Sequence, residues 1–317
     1  MEGRPITVAD AGEFGLIRRI TARATPGTFT LLGPGDDAAV LRAPDGRVVV
    51  TTDLLVDGRH FRRDWSSAYD VGRKAAAQNL ADIAAMGAVP TGLVVGLACP
   101  PDLALDWADG LADGLKDECA LVAVAVVGGD VSRSPVLTIA VTALGDLQGR
   151  EPVTRTGARP GDQVAIAGRL GWSAAGLAVL ARGFRSPAAL VNAHRRPEPP
   201  YSAGPRAAEL GATAMIDVSD GLIADLGHVA QGSAVRIELD SAAFDVPGRL
   251  REIGGALGLD PMDWVLAGGE DHALAAAFPG DLALPTPWRV IGRVTEGTGV
   301  VVDGEPFGGP GGFDHFA

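Results

Sequence analysis

Leu121-Val122-Ala123-Val124-Ala125-Val126-Val127-Gly128-Gly129-Asp130 is the stretch on which the reading of the fold turns. Its apolar run, 121–127, is far too short to cross a bilayer and is rich in valine, so it predicts a buried strand running into Gly-Gly-Asp. Working outward, residues 103–116 have helical spacing, 93–98 read as the strand before that helix, and 137–144 as the strand after the glycines. Upstream, 72–87 is alanine-rich and helical, closed by Gly87 and Pro90. Val48-Val49-Val50-Thr51-Thr52-Asp53 is a strand that ends on an aspartate, and residues 13–20 form a helix stopped by Pro26-Gly27. Strands alternating with helices predict an α/β or α+β domain over residues 1–147.

Residues 148–160 carry Gly149, Pro152, Gly157 and Pro160, which suits a crossing between domains. A second α/β domain over 148–317 opens with a strand at 161–168 and a helix at 173–181. The Pro- and Arg-rich segment 185–205 predicts an exposed loop, 222–230 a helix, and 235–239 and 288–294 strands. The composition of the tail, Gly308-Gly309-Pro310-Gly311-Gly312-Phe313-Asp314-His315-Phe316, predicts flexible backbone ending in aromatic rings.

The 317 residues suffice for two cores, and 47% of them are hydrophobic. The formal net charge is −12, and Lys74 and Lys116 are the only lysines, which argues against a nucleic-acid groove and against attraction to an anionic membrane. Cys99 and Cys119 do not make a disulfide framework, and the start of the chain has no apolar leader core, so a cytoplasmic protein is expected. Five histidines show no tight metal spacing, so zinc is not expected. There is no Walker loop, kinase catalytic-loop signature or dinucleotide-binding glycine motif.

The chemistry lies in aspartates set in apolar, glycine-bounded runs. Gly33-Pro34-Gly35-Asp36-Asp37 by itself reads as an ordinary turn, but it returns at once to Ala38-Ala39-Val40, which a solvated turn rarely needs. Thr51-Thr52-Asp53 offers hydroxyl and carboxylate oxygens at a strand end, or a helix cap. Asp82 sits in Leu80-Ala81-Asp82-Ile83-Ala84, with Asn79 three residues before it, where a bare carboxylate is costly. Met215-Ile216-Asp217-Val218-Ser219-Asp220-Gly221-Leu222 reads as strand, turn and helix start, able to present two carboxylates and backbone N–H groups to a phosphate and its metal. The same sequence is also a common helix cap. Gly268-Gly269-Glu270-Asp271 is a further acidic turn. Hard oxygen donors of this kind suit Mg²⁺ held together with substrate phosphates, so the chain is expected to be a magnesium-dependent nucleotide enzyme.

Taken in order, Gly33 to Val40, Thr51-Thr52-Asp53 with His60-Phe61, Lys74 to Pro90, Gly128-Gly129-Asp130, Gly161-Asp162 with Gly171 to Leu177, Met215 to His228, Gly268 to Asp271 and Gly312 to Phe316 resemble the thiamine-monophosphate kinase family. That family belongs to the aminoimidazole ribonucleotide synthetase-like ATP-binding superfamily. The resemblance implies a two-domain fold in which an N-terminal sheet domain forms a homodimer and a C-terminal α/β domain follows. It implies transfer of the ATP γ-phosphoryl group to thiamine monophosphate. Asp36, Thr51, Thr52, Asp53, Asp82, Asp130, Asp217 and Asp220 would hold several Mg²⁺ ions. Gly129, Asp130, Arg155 and Ser219 would contact ATP, and His60, Glu270 and Phe313 the acceptor, with no protein nucleophile or base. Val122, Val131, Ser134 and His272-Ala273 depart from the family pattern. Competing readings are another ATP-dependent synthetase on the same scaffold and a non-catalytic ATP or metal sensor.

Overall fold

A computed structural model describes residues 6–23, 25–34, 38–309 and 312. The chain forms two compact units, Met1–Ile83 with Val89–Gln148, and Ala84–Ala88 with Gly149–Ala317. Both mix helices and strands.

The first unit contains α1 (Val8–Thr21), β1 (Thr30–Leu32), β2 (Val40–Leu41), β3 (Val49–Val56), α2 (Ala68–Ala85, whose last two residues belong to the second unit), β4 (Val89–Cys99), α3 (Leu105–Ala120), β5 (Val126–Arg133) and β6 (Thr138–Asp146). Thr7 and Asp10 cap α1 reciprocally, each side chain accepting the other's backbone N–H. The main sheet has the order β3-β6-β4-β5, with β4 and β5 parallel and the other pairs antiparallel. Alternation along β3 puts Thr51, Asp53 and Leu55 on one face and Val50, Thr52 and Leu54 on the other. The first face is the inner one: Leu55, Val141, Ile139, Leu93 and Val127 are buried together with Ala76, Leu80 and Ile83 of α2 and Leu111 and Leu115 of α3. The other face stays open, with Val50 63% and Leu54 56% exposed. Buried Glu118 of α3 is neutralised by Arg73 of α2.

The second unit contains β7 (Gln163–Ala167), α4 (Trp172–Ala181), α5 (Ala188–Arg195), α6 (Ala203–Glu209), β8 (Ala214–Val218), α7 (Leu222–Ser233), β9 (Arg236–Leu239), a 3₁₀ turn, α8 (Gly248–Leu257), α9 (Pro261–Ala267), β10 (Ala273–Phe278), β11 (Arg289–Thr295), β12 (Gly299–Val302) and β13 (Glu305–Pro306). Its seven-stranded sheet has the order β13-β12-β9-β11-β7-β10-β8. Its β7-β10-β8 part is buried on both faces. Ile166, Ile216 and Ala275 pack toward Leu222, Leu226 and Leu266, while Ala165, Met215 and Phe278 pack toward Ala203, Ala207 and Trp288. Such double burial explains why β8 and β10 read as continuous apolar runs.

Three expectations are corrected. The strand expected at 121–127 begins only at Val126, because Leu121 and Val122 turn away from the end of α3 and Ala123 takes φ +57°. Gly128, Gly129 and Asp130 therefore lie inside β5, not beyond it. Likewise Thr51-Thr52-Asp53 is the middle of β3, since the strand continues to Val56. The loop expected at 185–205 contains all of α5, whose Leu190, Val191 and Ala193 are buried. The density of Pro and Arg around it conceals that apolar face.

Candidate functional site

In the first unit, β3 and α2 bring four sequence-marked residues together. Thr51 Oγ1 donates to Asp82 Oδ2 at 2.7 Å, and the Asp53 backbone N–H donates to Asn79 Oδ1 at 3.1 Å. Asn79, fully buried, donates its own amide to the Ala75 carbonyl at 2.9 Å, which fixes its oxygen toward the strand. The result is a set of hard oxygen atoms, Thr51, Asp53 and Asp82, carried on regular elements with stiff backbones. Asn79 is the member that sequence reasoning left out of the site, although its place three residues before Asp82 was the available signal.

Thr52 is not brought to this set. It faces the open side of the sheet, donating to the Val141 carbonyl at 3.0 Å and accepting from Thr142 Oγ1 at 3.1 Å. Asp130 also lies apart: pairing runs Leu54, Ala140, Gly96, Asp130 across the sheet, whereas Asp53 shares its row with Val141, Val95 and Gly129. Ser132 Oγ donates to Asp130 Oδ2 at 3.1 Å. Gly128, Gly129 and Asp130 border a pocket of about 950 Å³ beside β5, walled by apolar residues such as Ile17, Leu111 and Val126. Gly33, Pro34, Ala38 and Ala39, the neighbours in sequence of the Asp36 motif, line it too. Asp36 and Phe313 themselves lie outside the described residues.

His60 follows β3 in a turn. Its Nδ1 accepts the Val56 backbone N–H at 3.0 Å, so the neutral ring carries its proton on Nε2. Buried Lys74 donates to the His60 carbonyl at 3.0 Å and pins the turn to α2.

In the second unit the site is built from two loops. Asp217, on β8, is buried and accepts at Oδ2 from His272 Nδ1, 3.0 Å away. Ser219 and Asp220 follow at the strand end. Gly269 lies so close to this turn that a Cβ would collide with the Ser219 carbonyl oxygen, and a Cβ on Gly268 would collide with the Trp264 carbonyl oxygen, which explains the glycine pair before Glu270. Glu270 (φ +65°) and His272 (φ +52°) are both in the left-handed region, a strained arrangement sustained by the Glu270 N–H to Ser219 O bond at 2.8 Å and the His272 N–H to Val218 O bond at 3.0 Å.

The backbone N–H groups expected to cradle a phosphate are taken up internally. Those of Ser219, Asp220 and Gly221 all donate to Asp225 Oδ2, at 3.0, 3.1 and 3.1 Å. Asp225, in the first turn of α7, was missed; an acidic residue in that turn, five after Asp220, was the signal. Burial first, and then the charge of Asp217, push its carboxyl up to about 7. Asp271 plays the equivalent part for α4, accepting the Ser173 backbone N–H at 2.9 Å, and burial pushes it up to about 7 as well. Its second oxygen is buried without a hydrogen-bond partner among the described residues. Arg155 is placed elsewhere: its carbonyl accepts from Ser233 at the C-terminal end of α7, about 18 Å along that helix from Asp220 at 1.5 Å per residue.

Among the described residues no three His, Cys, Asp or Glu side chains converge as a ready-made metal site. The donor chemistry nonetheless fits Mg²⁺, which takes one or two carboxylates and completes its shell with water and substrate phosphates.

Comparison with known proteins joins these features. Residues 35–147 match the family described as AIR synthase related protein, N-terminal domain. Thiamine-monophosphate kinase of Mycobacterium tuberculosis is 50% identical over 313 residues, covering 98% of this chain and 93% of that protein. The crystal structure of thiamine-monophosphate kinase from Stenotrophomonas maltophilia K279a superposes with a TM-score of 0.81 at 35% identity, covering 92% of this chain and 96% of the other. The structure of AaThiL complexed with AMPPCP and TMP also gives 0.81 at 35% identity, covering 97% of this chain and 98% of the other. With likeness of this depth running through both units, the chain belongs to the thiamine-monophosphate kinase family.

Proposed function

We propose that this chain transfers the γ-phosphoryl group of ATP to thiamine monophosphate, giving thiamine diphosphate and ADP. The observation that carries the reading is the span of the likeness: AaThiL, whose structure holds AMPPCP and TMP, is matched over 97% of this chain. A nucleotide and a phosphate-bearing acceptor are both polyanions, and their approach is the difficulty the residues must solve. Thr51, Asp53 and Asp82 in one unit, and Asp217 and Asp220 in the other, would hold several Mg²⁺ ions. Bound there, Mg²⁺ supplies neutralisation of phosphate charge and stabilisation of the charge spread over the transferring group. The apolar walls of the pocket beside Gly128, Gly129 and Asp130 suit a purine. Glu270 offers its carboxylate to the positively charged thiazolium of the acceptor, and His60 an Nε2–H donor.

No protein base is needed, because the acceptor oxygen is already anionic, so transfer is direct and in line. The open sheet face bearing Val50, Leu54 and Val94 is the surface we assign to a second copy in a homodimer. The test is ADP release from ATP and Mg²⁺ with thiamine monophosphate, with thiamine, or with no acceptor. Release that needs the monophosphate supports the reading; release that is the same without it refutes it.

A further inference from the structure

Helix α4 begins Trp172-Ser173-Ala174-Ala175-Gly176-Leu177, a run that neither the metal nor the ATP reading uses. A Cβ on Gly176 would collide with the Leu190 carbonyl oxygen of α5 and come within 3.0 Å of His194 Cβ, so the two helices cross with their backbones almost touching. That close crossing carries His194, one turn past Leu190, onto the first turn of α4. The imidazole is 7% exposed, and its Nδ1 stands 3.1 Å from Ser173 Oγ and 3.3 Å from Glu270 Oε2. A bare nitrogen lone pair facing a carboxylate at that separation is repulsive, so the tautomer that fits carries its proton on Nδ1, between the carboxylate and the hydroxyl. Because both contacts fall on one nitrogen, the three residues do not form a proton relay of the Ser-His-acid type, which needs both ring nitrogens.

The same helix turn holds the next residue as well, through the Ser173 N–H to Asp271. Two consecutive acids are thus fastened from one place, in a loop whose left-handed backbone at Glu270 costs energy to maintain. Glu270 remains 35% exposed, so one carboxylate edge is held while the side chain stays open to a ligand.

We infer that His194, aligned by Ser173, is a positioning residue that orients the Glu270 carboxylate toward the cationic ring of the acceptor and so sets acceptor specificity. The inference rests on the proposed reading of Glu270 as an acceptor contact. It is tested by steady-state kinetics with separate KM values for thiamine monophosphate and ATP. Glu270→Gln and His194→Leu should each raise the acceptor KM by about tenfold or more, the scale of a lost hydrogen bond to a charged group, with the ATP KM unchanged. His194→Asn, whose amide can place an N–H near the Nδ1 position, should recover most of the loss, and the double variant His194→Leu with Glu270→Gln should be no worse than Glu270→Gln alone. If His194→Leu fails to give a thermal transition, Ser173→Ala carries the same test, with a rise in acceptor KM of about threefold expected. An unchanged acceptor KM in His194→Leu or Ser173→Ala where Glu270→Gln raises it overturns the inference and leaves the proposed function standing. Equal impairment of His194→Leu and His194→Asn overturns it in favour of packing alone. An unchanged acceptor KM in Glu270→Gln overturns both the inference and the reading beneath it.

Discussion

The two carboxylate-bearing regions solve the same problem with opposite materials. In the first unit, Thr51 and Asp53 project from the middle of a strand and Asp82 from the last turn of a helix, and they are held by one another and by Asn79. In the second, Asp217, Asp220 and Glu270 sit on or beside loops with left-handed residues, and the loop N–H groups are tied to Asp225. Regular elements would give ligands fixed chiefly by backbone geometry, with Asn79 as the side-chain support. Loops give ligands whose position depends on a few internal acids, and those acids are strained: Asp225 and Asp271 are both pushed up to about 7 by burial. Substitutions of the first kind should therefore alter chemistry without stability, and of the second kind both.

The sharpest test is Asp82→Asn beside Asp217→Asn. Each should lower turnover by about 100-fold or more while thermal unfolding stays cooperative. The second should also raise stability without metal, since it removes the charge that opposes Asp225. Turnover close to wild type in either variant would remove that residue from the ligand set.

A smaller but double effect is expected for Asp225→Ala. Three buried or half-buried N–H groups lose their acceptor, so stability should fall by about 2–4 kcal/mol and turnover with it. A fall in stability alone, seen by comparing denaturant midpoints with kinetics, would separate this residue from the working geometry of the turn.

Asp271→Asn distinguishes loop strain from loop function through pH. With the carboxyl raised from 3.8 to about 7, the folded chain keeps a proton that the unfolded chain has lost between about pH 4 and pH 7. Its contribution to stability is therefore full below about pH 4, declines as pH rises through that window, and is level above about 7. Asparagine keeps the acceptor for the Ser173 N–H but cannot ionise, so the variant should lack the decline and gain on the order of a few kcal/mol at pH 8. Parallel melting-temperature profiles for the two proteins would contradict the shift.

Least affected should be Thr52→Val, on the open face of β3, with a change in stability within about 1 kcal/mol and turnover unchanged. Thr51→Val, one residue away on the inner face, should lose turnover. Equal loss in both would show that alternation along β3 does not decide which threonine matters.

How far the sequence discloses this depends on the type of element. Asp82 is legible because a carboxylate inside an apolar helix is costly unless a partner or a ligand compensates it, and β8 with its turn is legible because an apolar run ends on Ser-Asp-Gly. The side of β3 on which Thr52 lies follows from alternation only once the strand is known to extend through it. The start of β5 was hidden because the turn after α3 is as apolar as the strand itself. Asp225 and His194 were missed, and Asn79 was noted but not placed in the site, for a shared reason: each works through another residue, and such contacts depend on tertiary packing, here the touch of Gly176 on Leu190 and the docking of α2 on β3. Asp36 and Phe313 lie outside the described residues.

The most direct measurement follows γ-labelled ATP in the presence of Mg²⁺ and thiamine monophosphate, with the products separated by chromatography and the protein recovered. Direct transfer between the two bound substrates predicts label in thiamine diphosphate and none bound covalently to the protein. Label in inorganic phosphate alone, or label carried on the protein, would contradict it.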